Sequence, residues 1–126
     1  MSHHAVVWID HQEARIFDVD AGAVDGMTVK APGRRVPRHP QSPSQQHDHP
    51  QDLQRFFHDV ATALEGTEQL LVVGPSSAKL ELLQYVHKRA HALEHKIVGI
   101  ETVDHPTDGQ LVAYARRYFD ISAKTH

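Results

Sequence analysis

The sequence predicts an α/β fold: one mixed sheet with helices on its faces, in the order β-β-β-α-β-α-β-α. Two observations carry this. Leu70–Val73 is an uninterrupted apolar run closed by Gly74-Pro75, which reads as a strand buried on both faces, as in the middle of a parallel sheet. Behind it, Ser76 and Ser77 offer hydroxyls to cap a helix whose apolar stripe is Leu80, Leu83 and Val86. The turn between the two lies at the carboxyl end of the strand, where open α/β sheets bind ligands.

The other elements follow in order. Ala5–Ile9 is a first strand, and Asp10-His11-Gln12 turns it into a second, Ala14–Val19, so that the two pair as a hairpin. Met27–Ala31 is a third strand at the sheet edge, where Lys30 discourages pairing with other chains. Pro32–Pro50 holds five of the seven prolines and almost nothing apolar, which predicts a mobile, His-rich loop at 32–50. A helix follows with Leu53, Phe56, Phe57, Val60 and Leu64 on one face, and Gly66 stops it. After the central strand and helix, Ile97–Val103 is the last strand. Thr107-x-x-Gln110 is a capping box for a final helix with Leu111, Tyr114, Ala115 and Tyr118 as its buried stripe.

At 126 residues the chain supports a single domain, 1–126. A net charge of −3 supplies no global drive toward nucleic acid or membrane, so an anion-binding surface has to be local. The absence of cysteine excludes disulfides and thiolate metal sites. No apolar run is long enough to span a bilayer, and the start, MSHHAVVWID, lacks the apolar core of a signal peptide. A cytoplasmic protein with no membrane partner is expected.

The order of elements is the ribonuclease-H-like topology. Within it, VVWIDHQEARIF, LLVVGPSSAKLELLQYV and VGIETVDHPTDGQLVAYARRYF resemble the central domain of the archaeal and eukaryotic peptide-release factor and of its paralogue Pelota. The match is closest to short stand-alone bacterial members of that superfamily, described as translational machinery proteins. Release factors carry a Gly-Gly-Gln tripeptide in the long loop after the third strand. Here that loop contains Gln45-Gln46 but no Gly-Gly-Gln, so hydrolysis of peptidyl-tRNA is not carried over. The resemblance implies a non-catalytic translation-associated module contacting RNA, the ribosome or a factor on it.

In this topology the first, fourth and fifth strands run parallel, and one rim gathers Asp10, His11, Ser76, Ser77, Lys79, Asp104, His105 and Asp108. These are the candidate ligand or anion-binding residues. Lys79 sits in the first turn of a helix, the unfavourable end for a cation, so an anion such as Asp10 or a bound phosphate would explain it; a solvated lysine is the plainer reading. Gly74–Lys79 is not a P-loop: it has one glycine, too short a spacing to the lysine, and Leu80 where magnesium needs a hydroxyl. No nucleotide cofactor, and no other cofactor, is expected.

A nuclease of ribonuclease-H type needs several carboxylates around two metal ions about 3.5–4 Å apart. Asp10 and Asp104 are available, but the central strand ends in Gly74 rather than an acid. A metal-dependent phosphodiesterase is therefore the alternative rather than the preferred reading, and no catalytic residue is assigned. A homo-oligomeric scaffold without a nucleic-acid role is a second alternative. His87, His91 and His95 recur at helical spacing, but no carboxylate or cysteine completes a metal set at fixed spacing, and His95 falls beyond the helix. They read as a surface face, with no metal assigned. Arg34, Arg35, Arg38, Lys88 and Arg89 are the candidate RNA contacts.

Overall fold

The computed structural model describes residues 4–20, 26–31 and 50–120. Residues 32–49 of the expected loop, with Arg34, Arg35 and Arg38, lie outside the described residues, and Pro50 begins a helix. Five strands, β1 (His4–Ile9), β2 (Glu13–Asp18), β3 (Gly26–Lys30), β4 (Gln69–Gly74) and β5 (Ile97–Thr102), form one sheet in the order β3-β2-β1-β4-β5. β1 pairs antiparallel with β2 and parallel with β4, β4 pairs parallel with β5, and β3 is the antiparallel edge beyond β2. This is the mixed sheet the sequence predicts, with the helices on both faces.

The apolar runs at positions 5–9 and 70–73 explain the order. A strand without alternation has no face for water, so β1 and β4 take the centre, where every residue from Ala5 to Ile9 and from Leu70 to Val73 is buried. Their side chains alternate between two cores. Val7, Ile9, Leu70 and Val72 meet α1 (Pro50–Ala63) and α2 (Ala78–Arg89) on one face. Val6, Trp8, Leu71 and Val73 meet α4 (Asp108–Phe119) on the other.

Helix α1 follows expectation: Phe56, Phe57, Val60 and Leu64 are buried, and Gly66 turns the chain with a φ of +92°, a conformation that costs glycine nothing. The capping box of α4 is also present, with Thr107 Oγ1 accepting from the Gln110 amide and Gln110 Oε1 accepting from the Thr107 amide.

Three expectations need correction. The buried side of α2 is Ala78, Leu82 and Val86 with the stem of Lys79; Leu80 is half exposed. The helix carries apolar residues at 80, 82, 83, 85 and 86, so the sequence permits more than one rotation, and packing against β1 and β4 selects this one. In α4 the stripe is Leu111, Val112 and Ala115, while Tyr118 lies exposed across the sheet edge and donates its hydroxyl to Val98 O at 3.3 Å. Finally, a short helix absent from the predicted order, α3 (His91–Glu94), is separated from α2 by a break at Ala90.

Candidate functional site

The carboxyl ends of β1, β4 and β5 lie side by side, and the predicted rim is therefore real as a place. Several of its polar side chains are held by partners within the protein, beginning with the hairpin turn. The Asp10 carboxylate accepts from the backbone amides of Gln12 and Glu13, at 2.8 and 2.9 Å. That is the local bond by which an aspartate closes a turn, and it holds the side chain back toward its own loop. His11 leans across to α2, where its Nε2 lies 3.1 Å from Glu81 Oε1.

The turn after β4 brings Ser76 and Ser77 to the surface, but neither caps α2 with its side chain. Ser77 is at the N-cap position in a helical conformation, and its hydroxyl donates to Glu81 Oε2 at 3.3 Å instead. The solvated-lysine reading of Lys79 is also corrected. Lys79 is 8% exposed, and its Nζ donates to Ser76 O at 2.8 Å. A charged donor on a backbone carbonyl explains a cation at this end of a helix without a bound anion. No Asp10–Lys79 pair forms among the described residues.

The third arm of the rim, residues 103–108, is clamped onto the sheet by two residues that the sequence reading did not single out. Trp8 and Arg15 are cross-strand partners in the hairpin. Trp8 Nε1 donates to Asp104 O at 2.6 Å. The Arg15 guanidinium stacks over the Trp8 ring at 4.5 Å, donates to Pro106 O, and pairs with Asp108 Oδ1 at 2.8 Å. Asp108 is thus neutralised by Arg15. Asp104 keeps its carboxylate in solvent beside His105 Nδ1 at 2.9 Å, and the His105 ring packs on Trp8. The available signal was the only tryptophan, at a strand end with an arginine directly opposite in the hairpin.

The two acids of the phosphodiesterase alternative have separate partners, Asp10 the amides of its own turn and Asp104 the His105 ring. Among the described residues no three His, Asp or Glu side chains gather as a metal-holding group. At Gly74 there is also no room for an acid: a Cβ there would lie 2.3 Å from the Ile9 carbonyl oxygen. His87, His91 and His95 stand in succession with ring centroids 5.8 and 5.6 Å apart. His87 Nδ1 meets Glu94 Oε2 at 2.8 Å, and this bond holds the Glu94 carboxyl below its usual range. Lys88 and Arg89 are exposed in the last turn of α2, at the end of the sheet opposite the rim.

Sheet order, strand directions and helices on both faces define an α/β domain of ribonuclease-H-like topology. The chain is similar in structure to Archaeoglobus fulgidus Pelota, with a TM-score of 0.54 and 17% identity over 93% of this chain and 37% of that one. It is likewise similar to an archaeal translation termination factor, with a TM-score of 0.56, 13% identity, and 93% and 39% coverage. A further archaeal protein gives a TM-score of 0.57 at 12% identity, with 93% and 38% coverage. The chain thus spans less than two-fifths of each of these proteins, and the likeness is one of fold. No protein-family model and no curated protein matches the sequence. Among the described residues no helix is long and apolar enough to cross a membrane.

Proposed function

We propose that this chain is a non-catalytic binding module of the translation apparatus, working in the cytoplasm and contacting the ribosome, its RNA or a factor bound to it. One observation carries the reading. At the rim where an α/β enzyme would place reactive groups, Asp10 is bound to its own turn, Lys79 to Ser76 O and Asp108 to Arg15. Side chains tied in this way present a fixed surface, suited to recognition rather than to proton or metal chemistry. The fold it shares with Pelota and a termination factor, and the lack of Gly-Gly-Gln, support the same choice.

The test is co-sedimentation of the protein with ribosomes on sucrose gradients, paired with crosslinking in cells and sequencing of the bound RNA. Migration with a ribosomal fraction, abolished by stripping the ribosomes, is the expected result. Migration only at the top of the gradient, with crosslinked RNA no richer than background, would remove the proposal.

A homo-oligomeric scaffold is favoured by one separate feature. The edge strand β5 exposes Val98 and Ile100, at 44% and 39%. Sedimentation velocity distinguishes this reading, which requires a concentration-dependent dimer that Ile100→Lys disperses.

A further inference from the structure

An open groove of 410 Å³ lies at the end of the molecule opposite the rim, between the C-terminal end of α1 and the α2–α3 break. That volume falls in the range of about 300–1,000 Å³ of small-ligand sites. Its floor is apolar, built by Ala61, Leu64 and Leu93, all buried. One wall carries Tyr85, which packs against Phe57 behind it at 6.0 Å and has its hydroxyl 3.5 Å from His58 Nδ1. An aromatic ring braced from behind presents a stacking surface at little entropic cost. The other wall carries Arg89 and Lys96. Lys96 Nζ donates to Thr67 O at 3.2 Å, whereas the Arg89 guanidinium has no hydrogen-bond or ionic partner among the described residues. Glu65 is the only acid among the described residues of the lining.

We propose that this groove binds single-stranded RNA, one base stacking on Tyr85 above the apolar floor and the adjoining phosphates meeting Arg89 and Lys96. The combination decides the occupant. Two helix C-termini point toward the groove, and their partial negative charge disfavours a small bare anion. A nucleotide chain escapes that penalty, because its base is held by stacking while its phosphates reach the outer cations. A sequence-tolerant contact of this kind is what a platform of one aromatic and two cations provides. The proposal rests on the translation-module reading in committing to RNA, and it places the contact at Arg89 and Tyr85 rather than at the rim.

The experiment is fluorescence anisotropy with a labelled oligouridylate of about ten nucleotides, within the usual footprint of such surfaces. Arg89→Glu should weaken binding about five- to tenfold and flatten the salt dependence by about 0.7 in log–log slope, one phosphate contact on a single strand. Tyr85→Leu should weaken it about fivefold or more with little change in salt slope. Lys30→Glu, on the exposed β3 edge at the other side of the sheet, should bind as wild type does. Arg89 is exposed, so its substitution leaves folding intact, which a thermal melt checks. Inorganic phosphate should fail to displace the oligonucleotide; displacement by phosphate or equally well by polyglutamate would overturn the proposal. Wild-type binding that both groove variants retain would also overturn it while leaving RNA binding elsewhere intact. If the protein sediments with ribosomes but binds no oligonucleotide, the groove proposal falls and the module reading stands. If it does neither, both fall.

Discussion

Substituting Gly74 with alanine probes the point where β1, β4 and the rim meet. Gly74 is the last residue of β4, buried, and paired with Thr102 of β5. An alanine Cβ there would lie 2.3 Å from the Ile9 carbonyl oxygen and 3.4 Å from its carbon. The clash is with backbone at the centre of the sheet, so relief requires β1 and β4 to separate rather than a side chain to rotate. Overpacking in cores costs about 1–3 kcal/mol, and a backbone clash belongs at the upper end, about 3 kcal/mol. For a chain of this length each kcal/mol moves the melting temperature by about 4 °C, so Gly74→Ala should melt about 12 °C below wild type. Far-ultraviolet circular dichroism melts measure it. Gly109→Ala is the matched control, because nothing lies within 4 Å of its Cβ and it sits in the first turn of α4. That variant gains up to about 1 kcal/mol of helix propensity and should melt at or slightly above wild type. A Gly74→Ala protein melting within about 3 °C of wild type would refute the steric argument.

Arg15→Ala should destabilise by about 2 kcal/mol in urea titrations, through loss of the Asp108 pair, the bonds to Pro106 O and the stack on Trp8. Trp8 is the only tryptophan, so its emission should shift to the red as water reaches the ring; unchanged emission would argue against the clamp. Lys79→Ala should cost about 2 kcal/mol, because its stem is buried, yet leave oligonucleotide affinity unchanged, because its ammonium is spent on Ser76 O. A loss of affinity would restore the rim as an anion site. The Glu94 carboxyl is held low by its hydrogen bond to His87, so its contribution is present above the unfolded value of 4.5 and lost as pH falls below it. The stability gap between wild type and Glu94→Gln should therefore narrow between pH 6 and pH 3.5, and a gap that widens would contradict the sign.

Much of this protein was decided within short stretches of sequence. Ala5–Ile9 and Leu70–Val73 have no polar alternation, and a strand with no wet face has only the sheet centre available to it. Thr107 and Gln110 are three residues apart, the reach of a reciprocal capping bond, so the start of α4 was readable directly. The hairpin and the edge strand followed from such local signals, whereas the neighbours of each parallel strand are seen only in the sheet itself, β3-β2-β1-β4-β5. Tertiary structure decided what each polar side chain at the rim does. Ser77 had the chemistry of a cap, yet Glu81 takes its hydroxyl; Lys79 looked solvated, yet packing against β1 and β4 turns its stem inward. Trp8 and Arg15 reach residues more than ninety positions away, and Gly74 is glycine because another strand's carbonyl passes beside it. Local hydrogen-bond geometry repeats with fixed spacing and can be read from order alone. A contact across the sheet depends on which elements the fold brings together and on how each helix is rotated, and no local spacing encodes that.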